Sequence, residues 1–370
     1  MSFEHTREAL RSRIEQAIAQ AGGWLPFDRF MAMALYQPGL GYYATASRKF
    51  GQMPQSGSDF VTAPELSPLF GRALAVQVAD AMHHCGVNEV WEFGAGSGAL
   101  AQQLLQALDA AGMQVRRYTI VDLSGSLRER QRQALVAFGD RVRWLDALPD
   151  AFEGVVVGNE VLDAMPVQLL RRVGGLWLER GVVLPRDGAP GADFGWLEQP
   201  TELRPSRDIP GDHDYLTEVH PQAQAFMRTL ADRLQRGAAF FIDYGFPESE
   251  YWHPQRHMGT LVCHRAHQSD TDPLADVGSK DISAHVDFTG IALAAQEAGL
   301  PTLGYTSQGR FLLNCGIASL MEQASLAERA NALKLVHEHE MGELFKVIAL
   351  SRTPGWTPLG FAAGDRTHTL

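Results

Sequence analysis

The stretch Glu89-Val90-Trp91-Glu92-Phe93, followed by Gly94-Ala95-Gly96-Ser97-Gly98 and the helical run from Ala99 to Ala111, sets the fold class. A short apolar strand, a turn with three glycines and an amphipathic helix form the opening of a βαβ unit, in which missing Cβ atoms let the backbone approach a ligand closely. The texture continues downstream. Tyr118 to Val121 reads as the next strand, closed by Asp122; Ser126 to Phe138 reads as a helix and Arg141 to Leu145 as a third strand, ending at Asp146. Gly154 to Gly158 reads as a fully buried fourth strand. Strands alternating with helices at this spacing predict a doubly wound, Rossmann-like α/β fold around a parallel sheet.

Outward from that core, residues 1–86 read as an N-terminal helical cap and loop over the ligand site. Leu10, Ile14, Ala17 and Ile18 recur at helical spacing, a second helix runs from Phe27 to Leu35, and a third from Leu69 to His83 is capped by Thr62 or Ser67 with Pro68 in its first turn. The core proper is expected over 87–184 and 215–245. Within it, Val167–Val173 and Leu176–Leu184 flank Gly174-Gly175 as a β-hairpin, Pro221–Leu234 forms a helix, and Ala238–Asp243 forms another core strand. Residues 185–214, rich in Pro, Gly and Asp, read as a surface excursion, and 246–287 as an insertion capping the substrate. Residues 288–353 return to the core, and 354–370 read as a loose tail.

The formal net charge of -11, from 32 Lys and Arg against 43 Asp and Glu, disfavours phosphate-rich partners. Nucleic acid is therefore not expected; a basic peptide or a small molecule fits better, although an acidic surface also serves solubility. Three scattered cysteines form no disulfide framework, and no apolar stretch is long enough for a membrane span or a secretory signal core. These features predict a cytosolic (cytoplasmic) protein.

A glycine-rich turn alone serves dinucleotides, S-adenosyl-L-methionine or tight packing. Its acidic neighbours narrow the choice. Asp122, with Leu123, ends the second strand where a carboxylate can accept from ribose hydroxyls; Asp146, with Ala147, ends the third near the expected adenine edge. Glu92 and Asn159, at the ends of the first and fourth strands, suit a ligand carrying an amino-acid group and a sulfonium better than a pyrophosphate. Asn159 and Asp163 could instead be helix caps.

The chain resembles the MidA family of class I methyltransferases nearly end to end. The blocks that carry the resemblance are Tyr36–Tyr43, Ser58–Glu65 with Phe70-Gly71, Glu92–Gly98, Asn159-Glu160 with Asp163–Pro166, Ile242–Gly245, Asp281–Phe288, Gln308–Leu312 and Met341–Lys346. The resemblance implies S-adenosylmethionine as methyl donor and an arginine of a protein substrate as acceptor; mitochondrial members assemble respiratory complex I. Two departures stand out: Ser58-Asp59-Phe60 where the family usually has Gly-Asp-Phe, and Ser307-Gln308-Gly309 where it has Thr-Gln-Gly.

An arginine acceptor calls for paired carboxylates, which grip a guanidinium bidentately. Glu160 and Asp163, three residues apart, would share one side of a helical turn and form that clamp. Asp59 and Asp243 could add charge, Glu218 with His220 is a weaker candidate, and His285 could orient the acceptor or simply enter a helix. No metal site is expected, because the spacing of His253, His257, Cys263, His264 and His267 matches no zinc module. Two other functions compete: an assembly chaperone retaining adenosylmethionine as a structural ligand, and a nicotinamide-dependent oxidoreductase.

Overall fold

The computed structural model describes residues 3–45, 61–122, 125–185, 193–265 and 268–370. Its main sheet contains strands β1 (Glu89–Phe93), β2 (Arg117–Val121), β3 (Val142–Leu145), β4 (Phe152–Asn159), β5 (Leu234–Phe246), β6 (Thr302–Ser307) and β7 (Phe345–Ser351). They lie in the order β3-β2-β1-β4-β5-β7-β6, with β7 antiparallel to both neighbours and the pairs from β3 to β5 parallel. The strand order reverses between β1 and β4. That reversal opens a crevice at the carboxyl ends of the strands, where open α/β sheets bind their ligands.

Val155, Val156 and Val157 are fully buried and point alternately to the two faces of the sheet. Val155 and Val157 join Val90, Ile120 and Phe240 under helices α3 (Pro68–Cys85) and α4 (Ala99–Ala110). Val156 joins Trp91 and Phe241 under α6 (Pro221–Arg233) and α7 (Phe288–Glu297), with α5 (Gly125–Ala134) following β2. Ser67 caps α3, accepting from the Leu69 N–H at 3.3 Å. A third core gathers α1 (Phe3–Gln20), α2 (Phe27–Tyr36), the hairpin residues Leu169 and Val182, and Ile282 and Ala284.

Several boundaries differ from expectation. The hairpin forms over Gln168–Val173 and Leu176–Val183, but it belongs to a separate antiparallel sheet with Leu25–Pro26, Gly195–Pro200 and Tyr215–Val219, not to the core. The excursion thus contributes a strand, Gly195–Pro200, and the core resumes at α6 and not at residue 215. The insertion folds as a three-stranded flap, Val262–Arg265, Gln268–Asp270 and Asp281–Ser283. Residues 354–370 are not loose. Trp356 and Phe361 are buried in the main core, and Asp80 accepts from the Trp356 indole and the Leu359 N–H, both at 3.1 Å. Aromatic burial outweighs the Pro and Gly content that suggested a tail. Among the described residues no helix is long and apolar enough to cross a membrane.

Candidate active site

Strands β1 and β4 end side by side, with Phe93 in register with Gly158, so the chain leaves both at the same depth. The turn after β1 places Gly94, Gly96 and Gly98 at φ of 62°, 52° and 87°, in the left-handed region. A Cβ on Gly94 would stand 3.0 Å from Val161 Cγ2, which follows β4. These two turns floor a cavity of about 1030 Å³ that reaches under the N-terminal cap and the flap.

Two groups of carboxyls line the cavity and are called its two arms, Glu92, Asp122 and Asp146 at the exits of β1, β2 and β3, and Glu160, Asp163 and Asp281 at the exit of β4 and on the flap; Arg233 is its one arginine or lysine among the described residues. At the first arm, Glu92 is buried and accepts from the Tyr118 hydroxyl at 2.6 Å. Burial pushes its carboxyl up to about 8 despite that bond, and the neighbouring Asp122 adds to the rise. Asp122 accepts from Gln131 Nε2 at 2.8 Å. The same amide donates to the Gly96 carbonyl at 3.0 Å, while Gln131 Oε1 accepts from the Trp144 indole at 2.9 Å. Gln131 therefore ties the glycine turn, the end of β2 and β3 together, a role that no local motif announces.

Asp146 stands at the rim, largely exposed and paired with Arg128, whose guanidinium also donates to the Leu145 carbonyl at 3.1 Å. Ala147 is exposed and does not line the cavity, and Gly98 sits behind it at the start of α4. Asp59, Leu123 and His267 lie outside the described residues.

The second arm departs from a helical turn. Glu160 has φ 54°, outside helix, and its N–H donates to the Ile242 carbonyl at 2.9 Å. No helix starts here, which removes the capping role for Asn159 and Asp163. What holds the segment is Asp243: its Oδ2 accepts from the N–H groups of Val161, Leu162 and Asp163 at 3.1, 2.9 and 3.2 Å, and its Oδ1 from Tyr244 N at 2.9 Å. Asp243 is a backbone clasp behind the cavity, not a charge within it. Glu160 accepts from Asn159 Nδ2 at 2.9 Å. Burial, then the Asp163 charge, raises its carboxyl to about 8. Asp163 is raised to about 6, chiefly by burial and against the bond from Tyr244.

Asp163 Oδ1 and Asn159 Oδ1 are buried, have no hydrogen-bond partner and belong to residues lining the cavity. These orphaned acceptors need donors that the described chain does not supply. Asp281, carried in by the flap, accepts from the Tyr43 hydroxyl at 2.9 Å, and Tyr43 stacks on Tyr36 with centroids 5.6 Å apart. Asp281, Tyr36, Tyr43 and Tyr244 carry no local signal as site residues, because they come from three remote segments.

His285 lines the cavity between the rings of Tyr244 and Phe246, and burial lowers its imidazole to about 4. Glu218 and His220 lie away from the cavity. Glu218 accepts from Thr260 N and Leu261 N at 2.9 and 3.1 Å and from Tyr251, which also meets His220 at 3.0 Å, so the pair braces the flap. Among the described residues no group of His, Cys, Asp and Glu is arranged to hold a metal ion.

Residues 73–306 match the family described as "Putative S-adenosyl-L-methionine-dependent methyltransferase". A Burkholderia thailandensis protein solved with bound S-adenosyl-homocysteine is 50% identical, with a TM-score of 0.94 over 99% of this chain and 97% of that one. The Drosophila melanogaster "Protein arginine methyltransferase NDUFAF7 homolog, mitochondrial" is 27% identical over 89% of this chain and 82% of its own length. The Homo sapiens "Protein arginine methyltransferase NDUFAF7, mitochondrial" is 26% identical over 89% and 80%. These relatives overturn the cytosolic expectation, since they are named mitochondrial. The lack of an apolar signal core bears on secretion alone, because mitochondrial targeting segments are amphipathic and basic. The family match spans well over half of the chain and falls on the glycine turn, Asp122 and the β4 exit, so the chain belongs to the S-adenosyl-L-methionine-dependent methyltransferase family.

Proposed function

We propose that this protein transfers methyl groups from S-adenosylmethionine to an arginine of a protein substrate. When bound, the donor supplies an electrophilic methyl on a sulfonium, so the protein must hold two cations and keep water out. The first arm of the cavity fits the donor. Glu92 offers a buried carboxylate for an ammonium and Asp122 one for ribose hydroxyls, while Gly94 and Gly96 leave the backbone bare. A pyrophosphate would meet those same carboxylates, which disfavours a nicotinamide dinucleotide.

The observation that carries the acceptor assignment is the crowding of Glu160, Asp163 and Asp281 around one arm, with Asp163 Oδ1 unpartnered among the described residues. Crowded, buried carboxylates hold protons that an entering cation displaces, so the arm is poised for a guanidinium and not for a neutral group. Glu160 and Asp163 grip it and orient a nitrogen lone pair; His285, neutral at physiological pH, shapes the wall. The relatives' arginine activity supports this reading, and the family resemblance makes a respiratory-complex subunit the first acceptor to test.

The test is labelled-methyl transfer from S-adenosylmethionine into a lysate of cells lacking the protein, followed by hydrolysis and amino-acid analysis. Label in methylarginine supports the proposal. Label confined to another residue or to a small molecule overturns the acceptor assignment. Tight donor binding with no transfer to any component would favour the chaperone reading.

A further inference from the structure

Asp163 is held by one side chain at one oxygen. Its Oδ2 accepts from the Tyr244 hydroxyl, while Oδ1 has no partner among the described residues although the residue is only 5% exposed. Ser283 Oγ lies 2.7 Å from the same phenol oxygen. A phenol has one proton and a carboxylate can only accept, so that proton goes to Asp163 and the Ser283 hydroxyl turns its own toward Tyr244. Tyr244 itself is fixed at the end of β5. Its N–H is clasped by Asp243, and its ring stands edge-on to His285 and Phe345 with centroids 5.2 and 5.4 Å away.

We propose that Tyr244 is a positioning residue for methyl transfer: its hydroxyl fixes Asp163 through Oδ2, so that Oδ1 is presented to the acceptor's N–H and the carboxylate stays ionised when the acceptor binds. The inference rests on the acceptor reading above. The groups around Asp163 are Glu160 beside it, Asp243 and Tyr244 on β5, Tyr36 and Tyr43 on the cap, and Asp281 on the flap. All of them are acids or phenols. Only the Tyr244 and backbone hydrogen bonds favour the charged form of Asp163, which burial opposes.

Removing the phenol oxygen leaves the ring, its packing and the cofactor arm in place. In Tyr244→Phe, donor affinity should stay near wild type, because the phenol touches neither the glycine turn nor Asp122, and the melting temperature should fall only by a few degrees as Asp163 Oδ2 loses one donor. Single-turnover transfer to an arginine peptide should fall about tenfold at pH 7, and the acid limb of the pH profile should move up by about one unit. Raising the pH should restore part of the loss, and KM for the peptide should rise less than kcat falls. A purely structural role would lower the rate equally at every pH.

A second arm needs no acceptor. The carboxyl infrared band that vanishes in Asp163→Asn should titrate at higher pH in Tyr244→Phe than in the wild type. Superimposable pH profiles, or an unmoved band, overturn the proposal. A wild-type protein that methylates no arginine removes the acceptor reading alone, because the infrared titration still decides whether Tyr244 controls Asp163.

Discussion

Replacing Glu160 by Gln should stabilise the protein at alkaline pH while destroying its activity. Glu160 is half-buried, and its carboxyl is raised from 4.5 to about 8. A carboxyl whose pKa is raised by folding stabilises the native state only while protonated, so its contribution is lost as pH rises through the interval between the unfolded and folded values. At 1.36 kcal/mol per unit, the native state is penalised by about 4 kcal/mol at pH 8 and about 1 kcal/mol at pH 5. An amide does not ionise and escapes the penalty. It also presents an NH₂ group where Glu160 now accepts from Asn159 and from the Ala63 N–H, a loss of about 1 kcal/mol at either pH. The net expectation is a gain of about 3 kcal/mol at pH 8 and almost none at pH 5. Urea unfolding followed by tryptophan fluorescence at the two pH values measures the difference directly. An equal shift in midpoint at both pH values, or a loss at pH 8, would refute the reasoning, because either result means that Glu160 is not held protonated by the fold. Single-turnover transfer by the same variant should fall at least about 100-fold, since an amide cannot balance a guanidinium.

Gln131→Leu should weaken S-adenosylmethionine binding by about 1–3 kcal/mol, because it cuts the ties among Gly96, Asp122 and Trp144, and calorimetric titration reads the change. Asp122→Ala should cost a similar amount, and the double variant should be no worse than the poorer single one if both act on one carboxylate; full additivity would separate them. Deletion of residues 355–370 removes the buried rings of Trp356 and Phe361 and should lower stability by at least about 3 kcal/mol, whereas an unchanged urea midpoint would restore the loose tail. Binding of an arginine peptide should tighten between pH 6 and 8 and release protons, measurable as buffer-dependent heats; pH-independent affinity would mean that the acidic arm is not where the cation goes.

The sheet was legible because its signals are local. Each strand from β1 to β4 is a short, largely apolar run followed by a glycine or a carboxylate at its exit, so local pattern alone marks the strands, while their order in the sheet comes from the folded structure. The acidic arm was only half legible. Glu160 and Asp163 could be named from their position after a buried strand, but the geometry assigned to them was helical, and the real segment is a clasped turn whose anchor, Asp243, lies 80 residues away from Asp163. A spacing argument reads intervals along one element and is blind to an anchor on another strand. Asp281 and Tyr43 meet across an interval of 238 residues, and only the folded flap and cap bring them together. The C-terminal residues failed for a different reason: Pro and Gly report the lack of regular structure, and irregular backbone can still carry buried aromatic rings.

Glu160 gathers costs that a residue chosen for stability would not share. It is a non-glycine residue at φ 54°, worth about 1–2 kcal/mol of strain, and it is a carboxyl partly withdrawn from water beside another carboxyl. The other described non-glycine residue at positive φ, Asp276 at 53°, makes a useful contrast. Asp276 sits in an exposed turn, pairs with Arg7 and Arg265, and is of a residue type that tolerates the left-handed region. Its conformation therefore needs no explanation beyond the turn. At Glu160 no cation among the described residues offsets the cost, and the surrounding structure enforces it through Asp243, whose one oxygen clasps the N–H groups of the next three residues. Conformational strain and crowded carboxyls converge on the same arm of the cavity where Asp163 Oδ1 lacks a partner among the described residues. A cation entering that arm would relieve the charge term and satisfy the orphaned oxygen together, so the energy stored in the free protein becomes affinity for the acceptor.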